Sequence, residues 1–193
     1  MLTKCARRII DLLWENEDEV QKEICVYGCE LCLYTVLSTA GLLVIGALLG
    51  DAAEAAIMIA VFYLCQSTGG GYHADSHLKC FVTMALGLLL GILFIHAKIP
   101  LFLCALLIAA SATVLLSVPL KLHANKQYMQ SSSEQLRFRS RMVTVFILLC
   151  AVILWCMGLF APLTSICASL IASAVSRLKG NGNPPEKTDK SVC

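Results

Sequence analysis

Residues 69–96 read GGGYHADSHLKCFVTMALGLLLGILFIH, a polar, glycine-rich segment that runs directly into a long apolar one. From Leu78 to His96 the only charged residue is Lys79, and an apolar run of this length is typical of a membrane-spanning helix. Ionisable groups at the edge of such a run are costly to keep there, so they indicate a functional site. The stretch therefore predicts a membrane protein and the place of its chemistry.

The composition of the whole chain agrees with this interpretation. Of the 193 residues, 58% are hydrophobic and only 15% are charged, and the mean hydropathy is +0.77. Soluble domains are closer to roughly half apolar and about a quarter charged. We therefore predict an all-α fold, a polytopic integral membrane helix bundle.

Six apolar segments predict about six transmembrane helices, and an amphipathic helix precedes them. Residues 3–22 place apolar side chains at helical spacing with charges on the other side, so this helix either lies in the membrane interface or packs against a partner helix. We interpret residues 1–178 as one membrane domain. Its predicted parts are the amphipathic helix within 1–23, a catalytic loop and helix start at 66–80, and a basic cytoplasmic loop at 121–141. The six apolar segments are residues 24–49, 52–66, 78–96, 100–120, 142–160 and 161–176. A flexible cytoplasmic tail is predicted at 179–193.

The basic residues predict the orientation in the membrane. If the N-terminus is cytoplasmic and all six segments cross, every one of the 15 Lys and Arg residues except Lys98 lies on the cytoplasmic side. This is the asymmetry that the positive-inside rule requires. We therefore expect both termini and the 66–80 segment at the cytoplasmic face.

His73 and Cys80 are candidates for nucleophilic catalysis. They are seven residues apart, so a helix over this segment would place them on one face, two turns apart. A free thiol with a pKa of about 8.5 is mostly protonated at neutral pH. A neighbouring imidazole can take that proton and return it to a leaving amine. The three glycines would let the backbone bend and leave N–H groups open to an oxyanion.

Two other classes of function stay open on the residues alone. His73, His77 and Cys80 follow the i, i+4, i+7 spacing of three zinc ligands on one helical face. Asp75 is close enough in sequence to be a fourth ligand or to orient one of the three. A small transporter is the second alternative, with Glu30 of the first span and the histidines lining a polar path.

The stretch Gly70-Gly71-Tyr72-His73-Ala74-Asp75, followed by Cys80, strongly resembles the motif of the accessory gene regulator B (AgrB) family of bacterial membrane endopeptidases. The charged N-terminal helix, the number of spans, and a basic loop that begins at Pro119 and contains Asn125-Lys126 resemble that family too. The resemblance covers most of residues 1–178. One difference is Gln66-Ser67-Thr68, a segment in which relatives often carry an arginine.

The resemblance implies a cysteine endopeptidase that cuts the C-terminal part from a short AgrD-type propeptide, the precursor of a quorum-sensing signal. Cys80 matches the family's nucleophile and His73 its base, whereas His77 and Asp75 are given no catalytic role. The acyl-enzyme thioester would then be attacked by a Cys or Ser side chain of the peptide, which gives a thiolactone or a lactone.

The resemblance also implies the setting of the reaction. The expected location is the bacterial cell membrane, with the active site at the cytoplasmic face. The expected partners are the propeptide and the lipid bilayer, with no nucleic acid, no cofactor and no metal, and the family is compatible with a homodimer.

Overall fold

The computed structural model describes residues 2–13, 19–69, 77–118 and 133–182, and 93% of these residues are helical. No strand occurs within those ranges, so the all-α prediction is confirmed. The helices described are α1 (Leu2–Leu13), α2 (Glu19–Leu48), α3 (Ala52–Gly69), α4 (His77–His96), α5 (Leu101–Ser117), α6 (Ser133–Cys156) and α7 (Phe160–Gly182).

Four of the described helices, α2, α4, α6 and α7, are long and apolar enough to cross a membrane. The apolar parts of α3 and α5, residues 52–68 and 101–117, are shorter. Crossing about 30 Å of hydrocarbon takes about 20 apolar residues. The structure therefore fits a membrane protein, but it does not confirm the predicted count of about six spans.

The described part of the predicted N-terminal helix, residues 3–22, consists of α1 (Leu2–Leu13) and the first residues of α2, which starts at Glu19. Residues 14–18 lie outside the described residues. The two helices pack against each other in antiparallel register, which places the charges of α1 opposite partners on α2. Three polar contacts join them: Arg7 Nη2 to Glu23 Oε1 (2.6 Å), Lys22 Nζ to Asp11 Oδ1 (2.8 Å), and Thr3 Oγ1 donating to Glu30 Oε1 (2.9 Å).

The basic segment predicted as a loop, residues 121–141, is helical in its last part. α6 begins at Ser133, so Arg137, Arg139 and Arg141 lie on its first turns rather than in a loop. A helix that continues past its apolar part keeps its backbone hydrogen bonds satisfied where the chain leaves the bilayer. α7 likewise continues to Gly182, beyond the predicted end of the sixth segment. Residues 119–132 and 183–193 lie outside the described residues.

α7 lies at the centre of the bundle. It packs against α3, α4, α5 and α6, and 56% of its apolar stretch is buried, against 17% for α2 and α4. Its buried residues include several small ones, such as Ser165, Cys167 and Ser169. Ser169 Oγ donates to the carbonyl oxygen of Met58 on α3, 3.1 Å away. Small side chains let helix backbones approach closely, which is how membrane helices associate without a hydrophobic driving force.

The direction of the chain reverses from helix to helix between α2 and α7, which gives the bundle two ends. At one end, Gln66 on α3 and Ser140 on α6 contact α7 near its C-terminus, and α4 begins there. We name it the Cys80 end. At the other, which we name the Asp51 end, Asp51 Oδ2 and His96 Nε2 lie 2.9 Å apart.

Candidate active site

Cys80 lies in the first turn of α4, and its side chain is partly buried. The other cysteines of the described interior, Cys65, Cys104 and Cys167, are buried within the apolar core. All cysteines in the described ranges are free. Cys80 therefore combines partial access with a position directly after the polar segment.

Tyr34 on α2 is the side chain that meets the Cys80 thiol. The Tyr34 hydroxyl and the Cys80 thiol lie close enough to interact, and the backbone of Phe81 lies near the same tyrosine. Tyr63 on α3 lies close to this pair, and its Oη accepts a hydrogen bond of 3.2 Å from Thr39 Oγ1. The thiol is thus part of a polar cluster to which three helices contribute.

The start of α4 is seated on α2 by a glycine. A Cβ at Gly41 would lie 3.2 Å from Cε2 of Phe81, tighter than ordinary van der Waals contact. Gly41 is seven residues from Tyr34, so both lie on the face of α2 that meets α4. Phe81 also packs against the core cluster that contains Leu42 and Met58. The residue next to Cys80 is therefore anchored on two sides, which fixes the backbone that carries the thiol.

Gln66 anchors the last turns of α3, just before the glycine segment. Its Nε2 donates to Ser176 Oγ on α7, 2.7 Å away. Gln66 belongs to the segment in which members of the family that this sequence resembles often have an arginine. A neutral amide serves here as the hydrogen-bond donor that ties α3 to the central helix.

The structure brings Cys80 together with Tyr34, and it does not describe the side chains of the other residues predicted for the site. His73 and Asp75 lie outside the described residues, and so does the side chain of His77, although His77 begins α4. Among the described side chains, no three His, Cys, Asp or Glu residues lie close enough together to bind a metal ion. The His73–Cys80 dyad and the alternative zinc site both stay predictions.

The sequence reasoning missed Tyr34. It is 46 positions before Cys80 in the chain and lies within an apolar run, where an aromatic residue is common. The sequence feature that distinguishes Tyr34 is a polar hydroxyl group within an apolar span. Such a hydroxyl indicates a polar contact, because a buried tyrosine hydroxyl usually has a hydrogen-bond partner.

The comparison with known proteins agrees with this architecture. The chain matches the family described as accessory gene regulator B over residues 4–177. It belongs to the AgrB family. No curated protein and no solved structure matches it. The match runs from α1 into the last turns of α7 and so includes the polar segment and Cys80.

Membership in the AgrB family confirms the resemblance found in the sequence. It identifies the chain as a membrane protein with a role in processing a quorum-sensing propeptide. The apolar helices of the described structure fit that assignment.

Proposed function

We propose that the chain is a membrane cysteine endopeptidase that removes the C-terminal segment of an AgrD-type propeptide, with Cys80 as nucleophile and His73 as base. The observation that carries the proposal is the position of Cys80. It is a partly accessible thiol in the first turn of α4, beside Tyr34, and it directly follows the segment that contains His73.

The first step forms a thioester. His73 takes the proton from Cys80 Sγ, and the thiolate attacks the carbonyl carbon of the scissile bond. The C–N bond breaks, His73 returns the proton to the leaving amine, and the C-terminal fragment departs. The first N–H groups of a helix have no intrahelical acceptor, so those at the start of α4 are suited to stabilise the oxyanion that forms beside Cys80.

The second step closes a ring. A Cys or Ser side chain of the retained peptide attacks the thioester carbonyl, and Cys80 leaves and regains a proton. The product is a thiolactone if the attacking atom is sulfur and a lactone if it is oxygen. The thioester keeps the acyl group activated, so exclusion of water from the site favours cyclisation over hydrolysis.

The Cys80 end is proposed to face the cytoplasm. The described basic residues Arg137, Arg139, Arg141 and Arg177 all lie at this end, whereas Lys98 lies at the Asp51 end. The positive-inside rule places such a cluster in the cytoplasm, where a propeptide is synthesised. An amphipathic leader lying on the inner membrane surface would present its cleavage site to Cys80 from that side.

The test is intact mass spectrometry of the full chain, reconstituted in membranes and mixed with the candidate propeptide. Cys80→Ala and His73→Ala are compared with the wild-type protein. Cys32→Ala is the matched control, since it removes an exposed thiol from α2. We expect a covalent adduct of the N-terminal peptide on the wild-type protein and on Cys32→Ala, none on Cys80→Ala, and slow formation on His73→Ala.

Two results would contradict the proposal. Cleavage at the wild-type rate by Cys80→Ala would end the proposal. Cleavage without any adduct, abolished by a chelator, would instead favour the zinc alternative built from His73, His77 and Cys80.

A further inference from the structure

A pocket lined by three arginines lies at the Cys80 end, between α5, α6 and α7. Arg137 and Arg141 line it from the first turns of α6, one helical turn apart. Arg177 lines it from α7, and residues 115–118 at the end of α5 form another wall. The pocket has a volume of about 90 Å³, well above the roughly 10–15 Å³ that a single water needs.

Arg177 is a buried cation, and one of its hydrogen-bond donors, Nε, has no acceptor among the described residues. Its side chain is 95% buried, since the residue is only 5% exposed. One terminal nitrogen donates to the carbonyl oxygen of Leu115, the other donates to Ser140 Oγ at 2.8 Å, and the buried Nε has no hydrogen-bond partner among the described residues.

None of the described residues that line the pocket carries a negative charge that could pair with Arg177. The described lining contains three arginines and two serines, Ser117 and Ser140, together with apolar residues at the end of α5, and no carboxylate. A buried charge that lacks an opposite charge is costly. An anionic ligand would supply the missing partner.

Phosphate is the anion that fits this set of donors. A guanidinium presents its N–H groups in a fixed planar fork that binds two phosphate oxygens at once. Arg177 is held in place by Leu115 and Ser140, while Arg137 and Arg141 are exposed and free to close over a ligand.

The surroundings of the pocket indicate that the phosphate belongs to a lipid. Phe138 and Met142 each directly follow one of the α6 arginines and are 64% and 54% exposed. The exposed apolar surface continues along α6 over Val145, Phe146, Leu149, Val152 and Ile153. We name this surface, from Phe138 to Ile153, the α6 stripe. An acyl chain that lies along the α6 stripe would bring its headgroup to the arginines, at the depth where basic side chains bind anionic lipids.

We propose that the pocket formed by Arg137, Arg141 and Arg177 binds the phosphate of an anionic phospholipid whose acyl chain lies along the α6 stripe. The bound lipid ties α5, α6 and α7 together at the Cys80 end. The proposal does not depend on the peptidase activity of Cys80.

The test is native mass spectrometry of the full chain in detergent, titrated with phosphatidylglycerol and, in parallel, with phosphatidylcholine. The variant R137Q/R141Q removes the two exposed arginines of the pocket and leaves the buried Arg177 in place, so that the helices stay packed. The matched control is R8Q/R139Q, which removes two exposed arginines that do not line the pocket. Circular dichroism establishes that both variants are folded.

We expect R137Q/R141Q to raise the Kd for phosphatidylglycerol about tenfold or more, and R8Q/R139Q to change it by less than about twofold. Phosphatidylcholine should bind the wild-type protein more weakly than phosphatidylglycerol, because its headgroup has no net charge. Millimolar inorganic phosphate should displace little of the bound phosphatidylglycerol, because free phosphate lacks the acyl contacts.

Several results would overturn the proposal. Equal Kd values for the two double variants would show that lipid binds by overall charge and not at this pocket. Complete displacement by inorganic phosphate would identify a site for the free anion. An unchanged lipid affinity of R137Q/R141Q, together with loss of propeptide binding, would assign the pocket to peptide carboxylates.

Discussion

The two ends of the bundle are built in opposite ways. At the Asp51 end, the described connections are short: residues 49–51, 97–100 and 157–159. Backbone hydrogen bonds close these turns, such as Asp51 N–H to the carbonyl of Gly46 at 3.0 Å, and Gly50 and Gly158 supply the positive φ angles that two of them need. At the Cys80 end, the connecting segments 70–76 and 119–132 are longer and rich in polar residues.

The difference suggests that the Cys80 end contributes mainly to activity and the Asp51 end mainly to stability. Short turns with specific backbone geometry fix the register of neighbouring helices, whereas long polar connections provide room for substrates and reactive groups. The Cys80 end also contains the thiol with its tyrosine and the arginine pocket. Substitutions at that end should change activity more than stability, and those at the Asp51 end should do the reverse.

The largest effect is expected from Cys80→Ala. Loss of the nucleophile should lower the cleavage rate about a thousandfold or more, while the melting temperature stays close to that of the wild-type protein, because a partly exposed thiol contributes little packing. Cleavage assays and circular dichroism on the same preparations measure both quantities. A variant that unfolds would show that Cys80 supports the bundle and that the two ends are less distinct than we infer.

Gly46→Ala should destabilise the Asp51 end. A Cβ at Gly46 would overlap the Cβ of Ala55 on α3, and overpacking of this kind costs about 1–3 kcal/mol of unfolding free energy. Gly28→Ala on the same helix is the control, since nothing lies within 4 Å of its added Cβ. Denaturation in mixed micelles should show a loss for Gly46→Ala and none for Gly28→Ala, with little change in cleavage per folded molecule. Equal stability of the two variants would contradict the close packing of α2 on α3.

Tyr34→Phe tests whether the Tyr34 hydroxyl beside Cys80 contributes to the reaction. Removing the hydroxyl while keeping the ring should lower kcat about fivefold to tenfold, in line with a net hydrogen-bond contribution of about 1 kcal/mol, and leave KM nearly unchanged. Tyr27→Phe is the control on the same helix, where the tyrosine is 69% exposed. Equal cleavage rates of the two variants would show that the Tyr34 hydroxyl does not contribute to the reaction.

The smallest effect is expected from His96→Gln at the Asp51 end. The contact between His96 Nε2 and Asp51 Oδ2 is 2.9 Å, but the histidine side chain is 62% exposed, so solvent screens the pair. We expect a stability loss of at most about 1 kcal/mol and unchanged cleavage. Lys98→Gln, an exposed neighbour in the same turn, should change neither quantity. A cleavage defect in His96→Gln would show that the two ends are coupled.

The sequence predicts where the helices lie better than it predicts which helices pack against each other. Apolar runs identify α4 and α5 closely, because hydrocarbon length and backbone satisfaction dictate where a helix must lie. The start of α6 at Ser133 was missed, since its first turns are polar and look like a loop by composition. The sequence left open whether α1 lies in the membrane interface or packs on another helix, because apolar periodicity does not show which polar side chains, such as Arg7 and Glu23, pair between helices.

The candidate site shows the same limit. Cys80 stands out in the sequence because it ends a polar motif beside a span. Tyr34 and Arg177 do not, because their roles arise from contacts between helices that are distant in the chain. Such contacts depend on which small residues let two helices approach, and composition alone does not contain that information. Charge counting places Arg177 at the cytoplasmic side but gives no sign that it is buried.

The attachment of α1 has a consequence for the dynamics of the molecule. The three contacts described above between α1 and α2 are polar and largely exposed, and Ala6 is the one buried residue of α1 among those described. Exposed ion pairs are weak and are screened by salt. α1 is therefore suited to open by local unfolding at a small fraction of the free energy that separates α7 from its neighbours. Backbone amides of α1 should exchange with solvent long before those of α7, and faster still as the ionic strength rises.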